Sequence, residues 1–146
     1  DCMRSLVGAD AVLISKIESA EGVVNLGGIL ESSNEILIDR GDLSRQVRIE
    51  KIPFLQRRIV SMARALSIPV HVATNLLESM TTACQPTRAE VNDVVSTLLM
   101  GANGLVLAAE TAIGAFPADA VGMVRRLIDQ YRRWTPNSSI ADILHA

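Results

Sequence analysis

The sequence has few aromatic residues and few cysteines, and it lacks a basic stripe and a long apolar run. Aromatic residues make up 3% of the 146 residues, so the core has to be built from Val, Ile, Leu, Ala and Met, which the 49% hydrophobic content allows. The two cysteines, Cys2 and Cys84, have no metal-binding or redox spacing. We expect them to be reduced thiols in a cytoplasmic protein.

The charge and hydropathy patterns narrow the classes of partner. A net charge of −2 without a block of like charge argues against nucleic acid. No apolar run reaches the ~18 residues that a membrane span needs, and no basic-then-apolar start indicates a signal peptide. We therefore expect no nucleic acid and no membrane as partners. Because the chain begins with Asp1 rather than Met, we expect a piece of a longer protein, and a processed or trimmed chain would look the same.

Four short apolar runs alternate with helical patterns. The runs are nearly continuous in Val, Ile and Leu, as in strands buried on both faces of a parallel sheet. They span residues 11–17, 35–39, 69–73 and 104–109. Between and after them, apolar residues recur at three- and four-residue steps in residues 21–32, 54–66, 88–100 and 118–133. The pattern predicts the order βαβαβαβα after a short helical segment in residues 1–8, and thus an α/β fold with a parallel sheet.

Two architectures fit this alternation: an open doubly wound sheet, or part of a (β/α)₈ barrel. The sequence contains neither a G-x-G-x-x-G nor a Walker A motif, which disfavours an open nucleotide-binding sheet. We predict one βα domain in residues 1–134. Residues 135–146 are predicted to form a tail with room for one short helix, capped by Ser138 or Ser139.

Functional groups of parallel α/β folds gather at the carboxyl ends of the strands. Lys16 and Glu18 are two residues apart at the end of the first strand and should lie on the same face. Glu18 and Asp42 follow adjacent strands, and two carboxylates with spare oxygens can hold Mg²⁺ or Mn²⁺. The alternative is a salt-bridge network of Lys16, Glu18, Arg40 and Asp42 without a metal ion.

Other polar residues have structural explanations of their own. Thr74 follows the third strand and could cap a helix. Thr87 and Glu90 have the spacing of a capping box. Glu110 follows the fourth strand and could face the same end of the sheet or cap the next turn. His71 is predicted to pack on the outer, helix-covered face.

Five segments together resemble the pyruvate kinase family. They are "ISKIESAEGV", "RGDL", "ATNLLESM", "PTRAEVNDV" and "ETAIGAFPADAV". Their order and spacing over residues 12–130 resemble the last four βα units of that family's (β/α)₈ domain. The resemblance implies a parallel (βα)₄ half of a TIM-type barrel, of the type that binds phosphoenolpyruvate or pyruvate.

The resemblance also implies roles for individual residues. Lys16 resembles the lysine that stabilises charge on the phosphoryl group, and Glu18 and Asp42 resemble the metal-binding carboxylates. Gly41 and Asp42 resemble positions whose backbone N–H groups meet the substrate carboxylate, and Thr74 resembles the threonine near the proton-delivery path. The predicted catalytic residues are Lys16 and Thr74. The predicted substrate-binding residues are Arg40, Gly41, Asp42 and Thr74.

The chain departs from the family's pattern at several positions. Asp39 stands where the family has a small residue, and it adds negative charge beside an anionic ligand. Asn75 replaces a glutamine, Ala108 and Ala109 replace Ser-Gly, and Ile113 replaces a lysine. We predict phosphoryl transfer between phosphoenolpyruvate and ADP in a full-length parent, with Mg²⁺ or Mn²⁺ and with a K⁺ site outside this chain. The chain alone is predicted to be inactive.

Two other functions stay open. "RGDLS" also resembles a segment of Mg-dependent HpcH/HpaI-type aldolases, and Asp39 with the two alanines also fits a non-catalytic binding or assembly module. Four strands would leave two open edges and an inner face that we expect to be rich in Val and Ile. Such a surface predicts a homo-oligomer or pairing with the remainder of a parent chain.

Overall fold

The computed structural model describes residues 2–145, without the side chain of Cys2. The strands are β1 (Ile14–Ile17), β2 (Glu35–Asp39), β3 (Val70–Ala73) and β4 (Gly104–Val106). The helices are α1 (Cys2–Val7), α2 (Ala20–Val24), α3 (Leu26–Ser32), α4 (Arg40–Gln46), α5 (Ile52–Ala65), α6 (Arg88–Met100), α7 (Ala109–Ala112), α8 (Pro117–Arg133) and α9 (Ile140–His145). Within this part of the chain, no helix has the length and apolarity needed to span a bilayer.

The four strands form one parallel sheet in the order β1-β2-β3-β4. Neighbouring strands are consecutive in the chain, as expected when each crossover contains a helix. The register places Lys16 beside Leu37, Leu37 beside His71, and His71 beside Gly104. The predicted parallel α/β architecture is therefore confirmed.

The chain divides into two compact units. The first contains the described residues up to Asn75 together with Met100–Val106, and so holds the whole sheet. The second contains Leu76–Leu99 and the described residues from Leu107 onward. The division into residues 1–134 and 135–146 stays a prediction.

The core of the first unit lies between one face of the sheet and two helices. Its fully buried strand residues are Ile17, Ile36, Ile38, Val70 and Val72. They pack against Leu26 and Leu30 of α3 and Ile59, Val60 and Ala63 of α5. Because side chains alternate along a strand, the residues between them lie on the opposite face.

That opposite face is more polar than the sequence predicted. It carries Lys16, Glu35 and His71 as well as the exposed Ile14. The prediction that His71 packs on the helix-covered face is wrong, because its neighbours Val70 and Val72 occupy that face. The Nε2 atom of His71 lies 2.7 Å from Oε2 of Glu35.

Two helices stand where the sequence predicted one helix over residues 21–32. Asn25 ends α2 and precedes α3. Its side-chain amide donates to the carbonyl of Glu21 at 3.1 Å, and its backbone N–H donates to the same carbonyl. Such side-chain bonds to the backbone compete with helix continuation, so the helix restarts one residue later.

The C-terminal tail contains the short helix α9, and Ser139 caps it. The backbone N–H of Asp142 donates to Oγ of Ser139 at 3.1 Å, and the N–H of Ser139 donates to Oδ2 of Asp142 at 2.9 Å. This reciprocal pair matches a capping box. The hydrogen bonds from Ser139 lower the pKa of Asp142.

Candidate functional site

The site begins at the carboxyl end of β1, where Lys16 meets two carboxylates. Its Nζ lies 2.6 Å from Oε2 of Glu18 and 3.1 Å from Oδ2 of Asp39. Glu18 directly follows the last residue of β1, and this ion pair holds its side chain beside that of Lys16. The hydrogen bonds to Glu18 and then Asp39 raise the pKa of Lys16 above its usual range, so this ammonium stays charged.

Asp39 ends β2 and also caps α4. Its Oδ1 accepts from the backbone N–H of Asp42 at 3.4 Å and lies 3.3 Å from Oγ1 of Thr74, whose single hydroxyl proton is also within reach of the carbonyl of Ala73 at 2.6 Å. Burial opposes ionisation of Asp39, but the bond from Lys16 and these further bonds outweigh it and lower the pKa. An ionised, mostly buried carboxylate therefore lies at the centre of the site.

Asp42 lies in the first turn of α4, where its negative charge suits the helix dipole. It forms a 3.5 Å ion pair with the exposed Arg45. Glu18, Asp39 and Asp42 each offer one oxygen, and these oxygens all lie within 4.8 Å of one another. The structure thus brings together the two predicted metal-binding carboxylates and adds a third.

The donor set fits a divalent cation. Three carboxylate oxygens are the hard ligands that Mg²⁺ and Mn²⁺ prefer. The Oε2 atom of Glu18 is buried, and within residues 2–145 its close partner is the ammonium of Lys16 at 2.6 Å. A carboxylate oxygen has more than one lone pair, so it can contact both the ammonium and a metal ion. An ion-pair cluster without a metal ion is the alternative arrangement.

Thr74 joins the site from the end of β3. Its Oγ1 accepts from the backbone N–H of Gly41 at 2.7 Å. Thr74 therefore satisfies one of the unpaired N–H groups at the start of α4, rather than capping a helix of its own. Thr74 has φ of 67° and Asn75 has φ of 54°. A left-handed conformation is costly for a β-branched residue, which indicates that this turn is held by its contacts.

Gly41 and Arg40 fix the start of α4 against the same turn. A Cβ on Gly41 would lie 3.4 Å from Cγ2 and Oγ1 of Thr74, which is ordinary van der Waals contact, so the space there does not by itself require glycine. The guanidinium of Arg40 donates to the carbonyl of Thr74 at 2.7 and 3.1 Å. The sequence predicted an ion-pair network of Lys16, Glu18, Arg40 and Asp42. The ion pairs in the structure also include Asp39 and Arg45.

Glu90 and Glu110 hold loops in the second unit. Glu90 forms the predicted capping box with Thr87, which is confirmed by bonds of 2.7 and 3.2 Å, and also binds Ser79. Glu110 is buried and accepts from the backbone N–H groups of Leu77 at 3.1 Å and Ala108 at 2.8 Å. Strand β4 ends at Val106, earlier than the sequence predicted.

Asp39 is the site residue whose contacts the sequence did not predict. It was interpreted as an extra negative charge near a ligand, because it was assigned to the strand alone. An aspartate directly before the run "RGDLS" is also a favoured N-cap, and this signal could have placed it at the start of α4.

Comparison with known proteins identifies the family. Residues 3–121 match the family description "Pyruvate kinase, barrel domain". The chain belongs to the pyruvate kinase family. It is 40% identical over 131 residues to a pyruvate kinase of Methylorubrum extorquens, covering 90% of this chain and 27% of that protein. It is 44% identical over 117 residues to plastidial pyruvate kinase 2 of Arabidopsis thaliana, covering 80% of this chain and 20% of that protein.

Solved pyruvate kinase structures agree with this family assignment. A crystal structure of a pyruvate kinase from Cryptosporidium parvum has a TM-score of 0.85 and 39% sequence identity, and the match covers 89% of this chain and 26% of that chain. The chain therefore spans about a quarter of the length of the pyruvate kinases that it matches.

Proposed function

We propose that this chain is the part of a pyruvate kinase-like phosphotransferase that holds a divalent cation and the phosphoryl group. The observation that carries the proposal is the convergence of Glu18, Asp39 and Asp42 beside Lys16 at the carboxyl ends of two adjacent parallel strands. The reaction is phosphoryl transfer between phosphoenolpyruvate and ADP in a full-length parent. Catalysis of such transfers depends mainly on positioning and on neutralising charge.

Each residue has a role that its geometry supports. The ammonium of Lys16 stabilises negative charge on the phosphoryl oxygens. Glu18 and Asp42 would hold Mg²⁺ or Mn²⁺, which would supply charge neutralisation at the phosphoryl group. The proposed substrate-binding residues are Arg40, Gly41, Asp42 and Thr74. Because the N–H of Gly41 donates to Thr74 and the N–H of Asp42 donates to Asp39, a substrate carboxylate has to replace these internal acceptors.

Binding of Mn²⁺ by calorimetry or electron paramagnetic resonance tests the metal role. We expect the chain to bind Mn²⁺ and Glu18→Gln to weaken that binding at least tenfold, because one of the carboxylate ligands is lost. Glu31→Gln is the matched control, since Glu31 is an exposed glutamate of α3. Equal Mn²⁺ affinity in the wild type and both variants would contradict the proposal.

A coupled assay of phosphoryl transfer tests whether the chain alone is catalytically active. With phosphoenolpyruvate, ADP, Mg²⁺ and K⁺, we expect no turnover above that of Glu18→Ala, because the chain spans about a quarter of its relatives. Turnover that Glu18→Ala abolishes would show that this part is sufficient for catalysis. Aldol cleavage of a 4-hydroxy-2-oxo acid would instead favour the aldolase interpretation.

A non-catalytic module is a second candidate, and the contacts of Asp39 favour it. This carboxylate engages the ammonium that the reaction requires. The edges of β1 and β4, the outer strands of the sheet, support association with a second copy or with the remainder of a parent chain. Light scattering at micromolar concentration tests this association, and a stable monomer would argue against it. A cytoplasmic location also stays a prediction.

A further inference from the structure

The carboxylate of Asp39 collects donors from three different segments. Its Oδ2 lies 3.1 Å from Nζ of Lys16, and its Oδ1 accepts from the backbone N–H of Asp42 and lies 3.3 Å from the hydroxyl of Thr74, which also contacts the carbonyl of Ala73. The side chain is only 12% exposed. Both oxygens are thus engaged inside the site.

These donors are the groups that the proposed function assigns to an anionic substrate. Lys16 would face the phosphoryl group, the N–H of Asp42 the substrate carboxylate, and Thr74 the reacting carbon. A carboxylate of the protein therefore stands in contact with each of them. The small residue that the family has at this position could not make these contacts.

We propose that Asp39 is a specificity-determining residue, an internal anion that competes with small dianionic acids for Lys16, Thr74 and the N–H of Asp42. This inference rests on the proposed function. It predicts that the chain binds dicarboxylates and phosphorylated acids more weakly than a variant with a neutral residue in place of Asp39. Such acids can bind only after the contacts of Asp39 are displaced, or else next to its charge.

The summed charge of the site also predicts that Asp39 weakens the binding of dianionic acids. A bound divalent cation and Lys16 would together balance the three charges of Glu18, Asp39 and Asp42, and Arg45 also pairs with Asp42. Replacing Asp39 by asparagine would leave an excess positive charge facing a dianion. The same change would remove negative charge from the neighbourhood of the cation. Asp39 should therefore weaken anion binding and strengthen cation binding at the same time.

Oxalate and Mn²⁺ are suitable probes for calorimetry on the whole chain. At saturating Mn²⁺, we expect Asp39→Asn to bind oxalate about tenfold more tightly, which is ~1.4 kcal/mol. We expect Mn²⁺ alone to bind a few-fold more weakly to this variant. Asparagine is as good an N-cap as aspartate, so α4 should be retained. Asp39→Ala should give the same two changes with a larger loss of stability.

Opposite shifts of the two affinities distinguish this role from a structural one, because partial unfolding would weaken both. Asp10→Asn is the matched control for net charge, since Asp10 is exposed and outside the site. Unchanged or weaker oxalate binding by folded Asp39→Asn would overturn the inference. If Glu18→Gln also left Mn²⁺ binding unchanged, the proposed function itself would fail.

Discussion

Replacing Glu90 by glutamine should destabilise the chain, because one carboxylate serves four donors. Its Oε1 accepts from the N–H of Ser79 at 2.7 Å. Its Oε2 accepts from the N–H of Thr87 at 2.7 Å, from Oγ1 of Thr87 at 2.8 Å and from Oγ of Ser79 at 2.5 Å. A glutamine amide has only one oxygen, so at least the Oε1 position would present N–H to the N–H of Ser79.

The expected cost of Glu90→Gln at pH 7 is about 2 kcal/mol, the value of one hydrogen bond to a charged group. For a chain of this size, that loss corresponds to a fall of about 6 °C in the unfolding midpoint. Thermal unfolding followed by circular dichroism measures it. Glu31→Gln, which changes an exposed glutamate, should stay within about 0.5 kcal/mol of the wild type.

The cost should also depend on pH. Burial opposes ionisation of Glu90, but the hydrogen bonds from Ser79 and Thr87 outweigh it and lower the pKa. Stability from a carboxylate with a lowered pKa is complete above the unfolded pKa, about 4.3 for glutamate, and is lost as the pH falls through the folded pKa. The gap between wild type and Glu90→Gln should therefore be full at pH 7 and shrink below about pH 4. A gap that is absent, or constant down to pH 3, would refute this reasoning.

Two further changes test the packing of the sheet and the turn after β3. Gly104→Ala should destabilise the chain by about 1–3 kcal/mol in a urea titration, because the added Cβ would overlap with Nδ1 of His71. Gly27→Ala is the control: Gly27 has open space around it, so this change should be neutral or stabilising in the same titration. Equal effects of the two would count against the close packing of His71. Thr74→Val removes the acceptor of the Gly41 N–H and should cost about 1–2 kcal/mol. Faster hydrogen exchange at Gly41 would support that contact, and unchanged protection would argue against it.

The location of the strands and of the longer helices could be predicted from the sequence. The runs around Ile36 and Val70 are short and apolar, and α6 (Arg88–Met100) has the predicted bounds. These features follow from local periodicity, because burial on one or two faces sets the spacing of apolar residues along the chain. The break at Asn25 was missed, since it depends on a side-chain bond to the backbone of Glu21 rather than on periodicity.

By itself, the sequence determined the parallel βα order and the presence of Lys16, Glu18 and Asp42 at the ends of adjacent strands. Only the tertiary structure decided what Asp39 does and which face His71 occupies. The physical reason is that these outcomes depend on contacts between segments far apart in the chain. Lys16, Asp39 and Thr74 come from three different strand ends, and spacing along the chain does not specify which donor meets which oxygen.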